Sequence, residues 1–205
     1  MVSFCLVRPA LRYALVMPEH DVTTSDGAGR RESVLDSAMQ TFVRFGYRKT
    51  SMDDVARAAQ VSRQGLYFLF DSKPALFRDA VTRALTRDLD AVADTLSDGR
   101  PLRERLLTAF DRWAGSFIGP LTDQTGRVRD FDPALLGPML HSAPRRFEDL
   151  VTAAIAESHP TDAPDRARTL ISASIGIKHQ VQTREQYSES MGIALDFVVG
   201  APPRG

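Results

Sequence analysis

Apolar positions begin to recur at helical spacing at about residue 30. In "RRESVLDSAMQTFVRFG", Leu35, Ala38, Met39 and Phe42 follow i, i+3, i+4, i+7, Phe45 continues the stripe, and Gly46 is a stop. "TSMDDVARAAQ" repeats the spacing through Met52, Val55, Ala56 and Ala59. Thr50 and Ser51 are cap residue types there, with Asp53 and Asp54 three residues on. A short third helix opens after Ser62 and reaches about Phe68. Pro74 sits in the first turn of a long fourth helix, Lys73 to about Leu96, that "SDGRP" breaks. "LRERLLTAFDRWAGSFIG" is amphipathic through Leu102, Leu106, Ala109, Phe110, Trp113 and Phe117. A loop follows from Gly119 to Pro133. "PALLGPMLHSAPRRFEDLVTAAIAES" makes one or two helices, broken near Gly137–Pro138 or Ser142–Pro144. Two more run over about Asp165–Gln180 and Arg184–Val199. No strand alternation and no repeat stands out. The pattern predicts an all-α chain of about nine helices.

The third helix is unusual in what it turns outward. At ~100° per residue, with Leu66 toward the core, Leu69 and Phe70 fall within roughly 60° of it, and Gln64 and Phe68 lie roughly 160° away. Tyr67 and Gly65 flank that outer face. An outward phenylalanine wants a partner. The second and third helices, joined by the tight turn Gln60–Val61, have helix-turn-helix dimensions, and Ala56 and Ala59 let them cross closely.

Composition narrows the partners. The 205 residues carry no formal net charge, against a general polyanion binder. Yet residues 27–76 hold eight Lys/Arg against five Asp/Glu, net +3, on the segment with the short helix. One cysteine, Cys5, allows neither an internal disulfide nor a cysteine metal cluster, and fits a reducing, cytoplasmic setting. His141, His159 and His179 lack metal-ligand spacing. No nucleophile motif, phosphate loop or carboxylate pair stands out, so neither enzyme activity nor a cofactor is expected. No apolar run reaches the ~18 residues of a membrane span. Residues 1–27 read as a flexible arm, with Met17 an alternative start, because Arg8, Pro9 and Arg12 interrupt the apolar stretch of a would-be signal peptide.

Residues 30–76 resemble the DNA-binding domain of the tetracycline-repressor (TetR) family. The likeness rests on a first helix ending in Phe-Gly-Tyr, a Thr-Ser cap, Asp-Asp-Val-Ala, Val-Ser-x-x-x-Leu-Tyr-x-x-Phe and Ser-Lys-x-x-Leu. It departs at Gln60, where the family usually has Gly, and in "FLF", where a His or polar residue often precedes the last Phe. The resemblance implies three segments: an arm (1–27), a helix-turn-helix domain (28–76, motif 51–70) and a helical effector-binding and dimerisation domain (77–205). It implies that Ser62 caps the recognition helix, that Arg63, Gln64 and Gly65 open it toward base edges with Phe68 beside them, and that Thr50, Ser51, Tyr67 and Lys73 hold phosphates. The stripe Leu170, Ser174, Ile177 and the stripe Tyr187, Met191, Ala194, Leu195, Val198 suit an intersubunit bundle, or burial within one subunit. Phe110, Trp113, Phe117, Met139 and His141 are candidates to line a pocket for an apolar or aromatic effector, or to pack as ordinary core. The leading expectation is a homodimeric repressor released from a double-stranded DNA operator by a small molecule. A ligand-independent activator or architectural protein, and a helical enzyme with a vestigial helix-turn-helix, are the alternatives.

Overall fold

The computed structural model describes residues 27–115, 118 and 133–200. Every regular element among them is helical: α1 (Gly27–Phe45), α2 (Met52–Ala58), α3 (Arg63–Leu69), α4 (Lys73–Leu96), α5 (Leu102–Trp113), a 3-10 turn (Pro133–Leu136), α6 (Met139–Ala156), α7 (Ala163–Gln180) and α8 (Arg184–Val199). The expected arm, most of the expected Gly119–Pro133 loop and Phe117 lie outside the described residues. Pro144 does not break α6. The break falls at Gly137, whose φ of 55° suits a residue without Cβ.

The described residues form two compact units, 27–86 with 133–140 and 87–115 with 118 and 141–200, so the division falls inside both α4 and α6. In the first unit, α1 buries Leu35, Ala38, Met39 and Phe42. Gly46 ends that helix at φ 86°, its N–H donating to the Phe42 carbonyl at 2.9 Å. Phe42 and Phe77 meet edge to face at 5.1 Å, and Tyr47 lies 4.8 Å from Phe77. Phe45 departs from the expected stripe: it is 45% exposed, with the Arg44 guanidinium 5.2 Å from its ring. Ion pairs join α1 to the first half of α4, Arg31 with Asp79 at 2.6 Å and Arg83 with Asp36 and Glu32 at 3.1 Å each.

In the second unit, α8 packs against α7 and α5. Capping begins α8, where Thr183 accepts from Gln186 N–H while the Gln186 side chain accepts from the Thr183 N–H. Arg184 pairs with Asp111, and Arg103 with Asp196, fixing α8 along α5. The buried Arg105 donates to the Leu96 carbonyl at the end of α4 and to Glu157. Gly115 is needed for space, since a Cβ there would come within 2.8 Å of the Tyr187 ring.

The expected interface stripes turn inward. Leu170, Ser174, Tyr187, Met191 and Leu195 are buried inside the subunit, and Ile177, Ala194 and Val198 are half-buried. The Ser174 and Tyr187 hydroxyls share a hydrogen bond of 2.7 Å. Helical period identifies an apolar face but not its neighbour, and here α5 and the α7–α8 pairing already cover it. What α8 presents outward instead is Ile193 and Phe197, 59% and 86% exposed and one turn apart.

Asp88 is a buried carboxylate in this unit, 3.5 Å from Arg112, and burial pushes its pKa up to about 6 against the pull of Arg112 and Arg87. A carboxyl whose folded pKa is raised contributes stability that is present below its ordinary value near 3.8 and is lost as pH rises through about 6. Asp88→Asn should therefore stabilise the protein more at pH 7.5 than at pH 4.5, by about 1–2 kcal/mol. Thermal unfolding of both proteins at the two pH values measures this, and an equal effect at both would contradict it.

Candidate nucleic-acid interface

α2 and α3 are each seven residues long, so their seating depends on caps and a few buried side chains rather than on helix propensity. At α2 the Ser51 hydroxyl accepts from Asp54 N–H at 3.1 Å and donates to the Asp54 carboxylate at 2.6 Å, and the Ser51 N–H donates to that carboxylate at 2.9 Å. Those bonds from Ser51 hold the Asp54 carboxyl below its ordinary range. At α3 the Ser62 hydroxyl accepts from Gly65 N–H at 3.0 Å. A Cβ on Gly65 would lie 3.1 Å from that hydroxyl, so glycine also leaves room for the cap.

The turn between them is strained at one residue. Gln60 has φ 54°, in the left-handed region that an L residue with a Cβ occupies at a cost. The Val61 N–H donating to the Ala56 carbonyl at 2.9 Å holds the turn.

The orientation of α3 matches the wheel. Leu66 is fully buried and Phe70 is 3% exposed, whereas Phe68 is 89% and Tyr67 42% exposed; Gln64 and Arg63 are also exposed. Arg31 lies over the Phe70 ring at 4.7 Å while bonding Asp79, tying the end of α3 to α1 and α4. Arg63 reaches Asp53 on α2 at 3.0 Å, and its guanidinium lies 5.7 Å from the centre of the Tyr67 ring. Neither the Arg31 tether nor the Asp53–Arg63 pair was legible beforehand, since each joins residues ten or more apart with no periodic signal.

Two expected phosphate ligands are committed elsewhere. Thr50 is 2% exposed, and its hydroxyl donates to the Gly46 carbonyl at 2.8 Å, because it closes the turn after α1. Lys73 donates from Nζ to the Tyr47 and Thr50 carbonyls, both at 3.1 Å, and lies 4.5 Å from the centre of the Tyr47 ring. Its ammonium thus ties the start of α4 to the α1–α2 connection. The Ser51 hydroxyl is exposed but engaged in its cap. The candidate effector residues differ in burial. Phe110 and Trp113 are core, meeting Phe147 edge to face at 5.3 Å and stacked at 4.9 Å. His141 is exposed, and Met139 is half-buried in the first unit.

An all-helical chain with a capped helix-turn-helix and one outward polar-aromatic face belongs to the class of helix-turn-helix proteins. Residues 34–80 match the family model of bacterial regulatory proteins of the tetR family. The HTH-type transcriptional regulator YhgD of Bacillus subtilis is 30% identical over 81 residues, 40% of this chain and 42% of that protein. The biofilm operon negative transcriptional regulator IcaR of Staphylococcus aureus is 31% identical over 51 residues, 25% and 27% of the two chains. The chain thus spans less than half the length of these relatives. A Mesorhizobium loti protein assigned to the TetR family shares the fold with a TM-score of 0.67 at 16% identity, over 86% of this chain and 98% of that one. Over residues 34–80 the chain is therefore similar to the N-terminal region of the tetR family, and its fold is that of a solved TetR-family structure.

Relief of the turn strain is measurable. Gln60→Gly is expected to stabilise the chain by about 0.5–1 kcal/mol, the left-handed cost less the extra backbone entropy of glycine. Gln60→Val should destabilise it by about 1–2 kcal/mol, because a branched Cβ resists positive φ. Denaturant unfolding of the two variants checks the sign of each.

Proposed function

We propose that the protein is a dimeric, sequence-specific DNA-binding transcriptional regulator of the cytoplasm, acting as a repressor that a small molecule releases from its operator. The observation that carries this reading is the outer face of α3. Gln64 and Phe68 stand in solvent on a helix that Leu66, Phe70 and the Ser62 cap hold in place. Residues at the start of such a helix meet base edges in the major groove, and Gln suits the paired donor and acceptor of adenine. The likeness to IcaR, a negative regulator, supports repression.

Two copies are needed because one helix-turn-helix reads only a half-site. Ile193 and Phe197, large and exposed on α8, are the dimer contacts in this reading, in place of the buried stripes. Release requires a ligand that binds the state unfit for DNA more tightly than the fitting state; equal affinity would shift nothing. Trp113 is the residue around which an apolar or aromatic ligand would act. Its indole N–H is buried with no hydrogen-bond partner among the described residues, so an acceptor on the ligand would relieve a desolvated donor.

Replacing both Ile193 and Phe197 by Glu should yield folded monomers and weaken operator binding together with dimerisation. Sedimentation and mobility-shift titrations report the two quantities, and a full-affinity monomer would refute the dimer face. On the selected operator, Gln64→Ala should cost about 1–3 kcal/mol per half-site and relax preference at one base position in each half-site. Lys73→Gln should weaken binding to every sequence while leaving the salt slope unchanged, because its ammonium serves as a tie. A slope reduced by about 1.8, two lysines per dimer at about 0.9 each, would instead make Lys73 a phosphate contact.

A further inference from the structure

Phe68 is the largest apolar side chain on the outer face of α3, and hydrogen bonding gives no account of it. It is 89% exposed on a helix whose one buried residue is Leu66. Exposed Gln64 stands one turn earlier on the same face, while Arg63 is held by Asp53 at 3.0 Å beside the Tyr67 ring. A phenyl ring in water gains only by burying itself against another apolar surface. Along the base edges of the major groove that surface is the C5-methyl of thymine, since the other groups displayed there are donors and acceptors.

The geometry points to Phe68 as a reader of one thymine methyl in each half-site, an inference that rests on the DNA-binding reading above. Gln64 and Phe68 lie four residues apart, about 6 Å along the helix. Base pairs repeat every ~3.4 Å, so the thymine lies one or two base pairs from the base that Gln64 reads. The two residues discriminate by different means. Gln64 selects through paired hydrogen bonds, and Phe68 selects by whether a methyl is there to exclude water from the ring. The chain carries Gln64 and Phe68 on one face, so polar and apolar readout share a single helix.

The test needs the full chain and an operator selected from random duplex DNA. Each thymine of that operator is replaced singly by deoxyuridine, which removes the methyl and keeps every hydrogen-bonding group. At one thymine per half-site the wild type should bind about fourfold more weakly, the value of one buried methyl group. Phe68→Ala should bind the thymine and uracil duplexes equally, whereas Gln64→Ala should keep the uracil penalty. With cytosine at that position, 5-methylation should recover affinity for the wild type and not for Phe68→Ala. Because Phe68 is exposed, Phe68→Ala should unfold with the wild-type midpoint, so a loss of binding cannot be assigned to the fold. If no thymine shows a penalty that Phe68→Ala removes, the inference is wrong while the DNA-binding reading stands. If selection returns no preferred duplex, that reading itself falls, and the methyl contact with it.

Discussion

The seating of α3 on Leu66 and Phe70 is the constraint on which the rest of the first unit depends. Seven residues cannot hold a helix by themselves. Burial of Leu66 and Phe70 fixes which way the helix rolls, and the Ser62 hydroxyl satisfies a backbone donor at its start. Every outward property follows from that roll. Rotating the helix by one residue, about 100°, would submerge Gln64 or Phe68 and expose an anchor.

Around this seat the chain spends its charges on position. Arg31 covers Phe70 and bonds Asp79, and Lys73 holds the Tyr47 and Thr50 carbonyls. Such partly exposed pairs contribute little stability one at a time. Their effect is geometric: they link α1, the α1–α2 connection, the end of α3 and the start of α4. This is why basic residues that suggest phosphate contacts in the sequence turn out to be engaged by the protein's own carbonyls and carboxylates.

The second unit uses polar groups inside its core. Tyr187 and Ser174 satisfy each other, Arg105 closes the end of α4, and Asp88 remains charged at neutral pH only at a cost. Trp113 stacks on Phe147, its N–H unanswered among the described residues. A unit that keeps a buried acid and an orphaned donor has less stability in reserve than an all-apolar core of the same size.

The sequence by itself determined the helices and the outward face of α3. Helical period, the Ser51 and Ser62 caps and Gly46 are local signals, and α4 and α8 begin and end where these signals place them. The Thr183–Gln186 capping box had the same kind of signal, Thr-x-x-Gln, although it is read only in the structure. The tertiary structure alone decided which apolar face of α8 is covered. Tyr187, Met191 and Leu195 turn to the subunit's own core, and Ile193 and Phe197 to solvent. It also decided that Lys73 is occupied. The physical reason is the same for both: periodicity and residue type describe what a side chain offers, whereas its partner is set by elements tens of residues away that fold against it.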